Sequence, residues 1–421
     1  MFIDGRTIPD GKSIETDICI VGAGAAGITL AHELSGKDFR IAIVESGGLE
    51  FDNETQDLYK GSLSGELYFP LESPSMRLRF FGGSTNIWSG RCRPLEESDF
   101  EQRSWIPYSG WPFTKAHRDP NYERASKVCE LPSTNYVLSF LEQALGFPRL
   151  PLDDELIETR VFYQSPPTRF GARYREEIEQ AKNISVYLHS NVMEFETNTA
   201  AGHVNSVRIR CLSGNEYRIV AKQFILASGG IENARLLLLS NQVQTAGLGN
   251  GHDLVGRFFM EHPYLWSASW LPDDPDMDLR LYAHNRRKPG DGIPSDCWLA
   301  LTPQVCRKEQ IGNFNIEFVP RHGIFRGEGS DSINHILDSI GDGKWPDDLD
   351  IHMGNIIQNL DLITGRALHR LKKKFTDDVP KPLLYELITS TEFTPNPDSR
   401  VTLSHERDSL NHDRSHLHIH Y

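Results

Sequence analysis

Apolar and polar positions change period along the 421-residue chain in an order that predicts its elements. Thr16-Asp-Ile-Cys-Ile-Val21 is a short apolar run and predicts a strand buried on both faces. Gly22 to Gly27 interrupts it, and from Ala25 to Leu34 the pattern predicts an amphipathic helix. Gly36 breaks that helix, and Arg40-Ile-Ala-Ile-Val-Glu45 predicts a second buried strand. The same order returns much later. Phe224 to Ala227 predicts a third buried strand, Gly229-Gly230 a turn, and the leucine-rich run to Ser240 a helix. Between the two lie strand-like pieces, Asn183 to Phe195, Val204 to Leu212 and Glu216 to Val220. Turn residues at Asn198–Gly202 and Ser213–Asn215 separate them, which predicts an antiparallel meander.

The second half is less regular. Pro272 to Asp278 predicts a polar surface loop, and Leu299–Pro303 and Gly312–Val319 predict strands. Gly323 to Lys344, rich in Gly and Asp, predicts a mobile loop with a short helix. Leu360 to Lys374 carries Arg366, His369, Arg370, Lys372, Lys373 and Lys374 and predicts a solvated helix face. Asn396 to Ser404 predicts a turn and a strand.

Composition narrows the classes. At roughly 150 residues per domain, the length predicts two or three lobes. Lys plus Arg total 44 and Asp plus Glu 58, a net charge of −14, which argues against nucleic acid and against anionic lipid as partners. No stretch approaches the ~18 apolar residues of a membrane span. The start, MFIDGRTIPDGKSIETD, lacks the basic and apolar regions of a secretory signal. None of the six cysteines forms a CxxC pair, so reduced thiols and a cytoplasmic location are expected. Cys19, within the first strand, is expected to pack rather than react.

The strongest chemistry lies at Gly22-Ala-Gly24-Ala-Ala-Gly27. Gly22 allows a tight turn, Gly24 lets backbone approach a pyrophosphate, and Gly27 lets helix and strand pack closely. The helix start offers free N–H groups to phosphates. Glu45 ends the second strand at the distance where an acid holds a ribose diol, and it disfavours a 2′-phosphate. This predicts a dinucleotide site for NAD or FAD rather than NADP. Two later segments bear on the choice. Arg79-Phe-Phe-Gly82-Gly83-Ser84-Thr85-Asn86-Ile-Trp88-Ser-Gly90-Arg91 can bring backbone amides against a flat anionic ligand. The strand–Gly–helix at Ala227 and Gly229 suggests a second wall around one long cofactor. Each has a plainer structural reading, the first as a Gly-rich turn and the second as a βα turn with a core helix.

The combination VGAGAAG, VESGG, FFGGSTNIWSGR, LASGGIENARLLLLS and LVGRFFMEHP resembles the glucose–methanol–choline (GMC) flavoprotein oxidoreductases. The resemblance runs from about Thr16 to Ser404, weakest between Pro263 and Thr391. It implies FAD, and oxidation of a CH–OH group of an alcohol or sugar by hydride transfer to flavin N5. Carried over by motif, Gly22, Gly24 and Gly27 match the pyrophosphate turn and Glu45 the adenosine ribose ligand. Gly83, Ser84 and Asn86 match the loop against the flavin, and Val192 the position that pairs with adenine. Ala227 and Gly229 belong to the second wall. Some relatives attach FAD covalently through a histidine in the flavin loop. Asn86 stands there in this chain, so non-covalent FAD is expected.

The family's active-site His pair lies in a C-terminal portion with no counterpart before Tyr421. The chain is therefore expected to be truncated relative to the family, and its catalytic residues are unknown. His262, in Glu261-His262-Pro263, is a weak candidate base. His416, His418 and His420 share one strand face, and no metal is expected there. The fold expected is α/β: a Rossmann-like FAD-binding lobe of GMC type over 1–260, a second antiparallel-sheet substrate lobe over 261–392, and a return towards the first lobe over 393–421. The alternatives are a non-catalytic flavin-binding remnant and an NAD-dependent dehydrogenase. The identity of the alcohol and of the electron acceptor is not readable.

Overall fold

A computed structural model describes residues 1–65, 71–274, 277–282, 293–321, 332, 335–336, 348–358 and 384–420. The basic stretch 360–374 lies outside the described residues, as does 323–344 apart from three positions. The chain forms two compact units, one of Met1–Leu131, Gln164–Glu261 and Phe393–Tyr421, the other of Pro132–Tyr163 and His262–Glu392.

The first unit is built on a five-stranded sheet. It comprises β1 (Phe2–Asp4), β3 (Ile18–Val21), β4 (Ile41–Val44), β8 (Ile184–Leu188) and β12 (Gln223–Leu226), in the order β1-β8-β4-β3-β12. Every neighbouring pair is parallel. The register sets Ile20 beside Ile43 and Cys19 beside Ala42. Alternation along each strand then sends two apolar sets to opposite faces. Ile18, Ile20, Ile41 and Ile43 pack with Ile28 and Ala31 of the first helix, Ala25–Leu34. Cys19, Val21, Ala42 and Val44 pack with Val207, Ile209, Tyr217 and Ile219 of the meander. Each fully buried isoleucine is worth roughly 1.5–3 kcal/mol, and both faces must be filled for β3 and β4 to be stable there. Burial pushes the Cys19 thiol pKa up, consistent with a packing role.

The meander is β9 (Asn191–Thr197), β10 (Val204–Arg210) and β11 (Glu216–Val220), extended by β2 (Lys12–Glu15), in the order β2-β11-β10-β9. A third sheet joins β5 (Ser62–Ser64) to the hairpin of β17 (Arg400–Arg407) and β18 (Asp413–His418). Two expectations are corrected. The run 183–195 is not one strand of the meander: β8 belongs to the parallel sheet and β9 to the antiparallel one. The chain turns between them at His189, whose φ is 55°. Phe224 to Leu226 are half-buried rather than buried on both faces, because β12 is the edge of its sheet.

In the second unit β13 (Tyr264–Trp270), β16 (Leu384–Thr391), β15 (Phe314–Arg321), β14 (Ser295–Leu301) and β7 (Ile157–Gln164) lie side by side in that order. All neighbours are antiparallel. The rings of Trp270, Phe318, Tyr385 and Tyr282 meet there in tilted and edge-on pairs. A linear boundary at residue 261 therefore misplaces 132–163. That segment joins the second unit because β7 pairs with β14 from Ile157–Leu301 to Tyr163–Ser295.

Candidate cofactor site

The site begins where β3 ends. Gly22 donates its N–H to the Val44 carbonyl at 2.8 Å and turns with φ 105°. A Cβ there would lie 2.6 Å from the Ala227 carbonyl oxygen, so only glycine fits. A Cβ on Gly27 would lie 2.0 Å from the Gly22 oxygen, which is how the first helix comes so close to the turn. Gly24 is different. It is the N-cap of that helix, and a Cβ there would meet nothing within 4 Å. Two glycines are packed against the protein itself, and the third faces open space at a helix N-terminus.

Glu45, at the end of β4, is buried. Its Oε2 accepts the Ala23 N–H at 2.9 Å and its Oε1 the Gly47 N–H at 2.9 Å. Burial raises its pKa, partly offset by those two bonds and by Arg79. Two accepted bonds leave a carboxylate with free lone pairs for ligand hydroxyls.

The loop Gly82–Trp88 closes on the same turn. Gly82 donates to the Ala23 carbonyl at 2.8 Å, and a Cβ on Gly83 would sit 3.0 Å from the Gly24 Cα. A third segment follows β12. Ala227 N–H donates to the Val21 carbonyl at 2.8 Å, and Ser228 N–H to the Asn233 side chain at 2.9 Å. Gly229 turns the chain with φ 86° into the leucine-rich helix, Gly230–Leu239.

These segments enclose one cavity of about 460 Å³. Of the expected residues, Gly22, Gly24, Glu45, Gly83, Ser84, Val192, Ala227 and Gly229 line it. Gly27 serves the packing behind the turn. Asn86 does not line the cavity: its amide donates to the Phe81 carbonyl at 3.1 Å and holds the loop. His262 is exposed, begins the second unit, and sits edge-on 5.2 Å from Tyr264. It is not among the residues lining this cavity. Both ring nitrogens of His416 lie within hydrogen-bond distance of hydroxyls, Ser62 at 2.6 Å and Ser64 at 2.8 Å.

Sequence reasoning missed Ser46, Tyr59, Arg79 and Glu232, which also line the cavity. Arg79 and Glu232 stand inside motifs that were read for their glycines. Their pairing joins residues far apart in the chain, and no local pattern signals it.

Residues 17–246 match the family described as FAD dependent oxidoreductase. The chain belongs to this family of FAD-dependent oxidoreductases. It is similar to the fructose dehydrogenase large subunit of Gluconobacter japonicus, 33% identical over 325 residues that cover 60% of this chain and 59% of that protein. It is also similar to 6‴-hydroxyparomomycin C oxidase of Streptomyces lividus, 24% identical over 296 residues, 57% of this chain and 53% of that protein. The chain thus spans little more than half the length of these curated relatives. Among solved structures, pyridoxine 4-oxidase from Mesorbium loti aligns with a TM-score of 0.48 at 17% identity, covering 95% of this chain and 75% of that one. No helix of the described residues is long and apolar enough to cross a membrane.

The residues present fit the family's cofactor. The open side of Gly24 leaves room for a pyrophosphate at the helix N-terminus, and the spare lone pairs of Glu45 suit a ribose diol. Gly83 and Ser84 could hold the flavin end.

Proposed function

We propose that this chain is the cofactor-binding part of an FAD-dependent oxidoreductase that acts on the CH–OH group of an alcohol or sugar. The observation that carries this reading is the convergence of three distant segments, the Gly22 turn, the Gly83 loop and the Gly229 turn, on one cavity with Glu45 at its edge. The names of two relatives, a fructose dehydrogenase large subunit and a 6‴-hydroxyparomomycin C oxidase, support the substrate class. FAD, when bound, accepts the hydride of such an oxidation. The chain's own part is to seat the pyrophosphate on backbone amides, orient the ribose through Glu45 and hold the loop over the flavin. The cofactor is non-covalent on this reading, since Asn86 and not a histidine occupies the position from which some relatives attach it.

The second reading is a flavin-binding protein without turnover. It is favoured by the lining itself: among the described residues around the cavity none is a histidine, and its two acids, Glu45 and Glu232, are committed to backbone amides and to arginines. Absorption spectroscopy of the purified chain tests both. About one FAD per chain, released to the supernatant by acid precipitation, is expected. Bleaching of the flavin bands by an alcohol or sugar without oxygen supports the enzyme. A colourless folded protein refutes both readings, and flavin retained in the acid pellet refutes non-covalent binding.

A further inference from the structure

Three guanidinium groups lie buried against the cavity wall. Glu232 pairs with Arg77 at 3.3 Å, Arg79 at 3.1 Å and Arg235 at 3.3 Å, and Arg235 reaches Asp408 at 2.6 Å. All five side chains are at most 13% exposed. Buried Glu45 also attracts Arg79, so three guanidinium groups share three acids. The Tyr59 ring lies 3.9 Å from the Arg77 guanidinium and 4.7 Å from that of Arg79, which eases the crowding without neutralising it. The field is felt nearby: burial, then Arg235, pushes the His412 pKa down to about 4.

The hydrogen bonds show which guanidinium edge is open to a ligand. Arg77 spends its three nitrogens on the Leu71 carbonyl, the Tyr59 carbonyl and Glu232. Arg235 spends its three on the Asp413 carbonyl, Glu232 and Asp408. Arg79 uses two, Nε to the Ser46 hydroxyl at 2.7 Å and Nη1 to Glu232 at 3.1 Å. Among the described residues its Nη2 has no hydrogen-bond partner, and Arg79 lines the cavity. Ser46 follows the end of β4 and Glu232 lies in the first turn of the helix after β12. The strand between them in the sheet is β3, which ends on the Gly22 turn. Arg79 and the helix N-terminus, Gly24 to Ala26, line the same cavity.

We propose that Arg79 is the counter-cation of the FAD pyrophosphate: the helix N-terminus receives the phosphates on one side and the free edge of Arg79 on the other. This rests on the FAD reading above. The test uses the purified chain, with affinities for FAD, ADP and adenosine measured for wild type, Arg79→Met and Arg79→Lys. Loss of a charge-assisted hydrogen bond predicts that Arg79→Met weakens FAD and ADP by about 10- to 100-fold and leaves adenosine unchanged. Arg79→Lys should keep most of the ADP affinity. Should the Met variant not fold, Arg79→Gln replaces it, keeping a donor for Ser46 without the charge. Unchanged ADP affinity in the variant overturns the proposal, as does equal weakening of ADP and adenosine. A wild type that binds neither FAD nor ADP overturns the cofactor reading itself, and this proposal with it.

Discussion

At Gly22 the chain leaves β3 and enters a helix that is pressed onto the turn; a methyl group at Gly27 would lie 2.0 Å from backbone. At Gly229 the chain leaves β12 and enters a helix, and a Cβ on either glycine of the turn would meet nothing within 4 Å. What anchors the second helix is charge: Glu232 in its first turn gathers Arg77, Arg79 and Arg235, and Arg235 continues to Asp408 in the C-terminal hairpin. Two turns with the same sequence grammar are thus held by opposite means, one by backbone contact and one by a buried ion network. The lesson is that a Gly-rich βα turn does not by itself say what makes it rigid.

The comparison can be broken most forcefully at Glu232. Glu232→Gln removes the acid that pairs with Arg77, Arg79 and Arg235, and a loss of about 3–5 kcal/mol in urea denaturation is expected. The same residue governs the acid limb. Burial alone would raise the Glu232 pKa, but Arg235, Arg79 and Arg77 outweigh it and bring it to about 2 from the usual 4.5. A depressed folded-state pKa means that the stability is complete above about pH 4.5 and is lost as pH falls towards 2. His412, lowered from 6.5 to about 4, adds a loss of the same sign that begins below pH 6.5. Stability measured from pH 7 to 3 should therefore fall in wild type and fall less steeply in Glu232→Gln. Parallel profiles would show that the network is not what holds this helix.

Next in size is Gly27→Ala, where backbone must shift to admit one methyl group. A cost of about 1–3 kcal/mol is expected, with weaker FAD retention. Melting equal to wild type would mean that the first turn is not held by contact. Gly229→Ala meets open space and pays only for its positive φ, about 1–2 kcal/mol. The smallest effect has the opposite sign. Gly230, the first helical residue, has room for a methyl group and no positive φ, so Gly230→Ala should stabilise by up to ~1 kcal/mol in the same assay. A loss there would mean that the second turn is as tightly packed as the first.

Much of the first unit was legible in the sequence. The helix Ala25–Leu34 begins and ends where the pattern predicts, because Gly24 and Gly36 bound a run with a clear apolar face. β3 and β4 are short apolar runs that must be covered twice, and they are. Less was legible wherever a segment takes its meaning from a distant partner. The apolar run 183–195 does not reveal that it changes sheets at His189. β7 does not reveal that it leaves the first unit for β14. In the site, glycines could be read because each imposes a local backbone geometry, whereas Arg79 looked like one more charge beside a Gly-rich loop.

The amino-acid sequence by itself determined the places where backbone must turn, the residues that must be covered by other residues, and the dinucleotide grammar of Gly22, Gly24, Gly27 and Glu45. Those are local matters of sterics and period, decided within a few residues. Only the tertiary structure decided that the Gly22 turn, the Gly83 loop and the Gly229 turn open onto one cavity, and that three arginines share three acids beside it. The energy of a buried charge depends on what lies within a few ångströms in space, and neither distance nor burial is written in the order of residues along the chain.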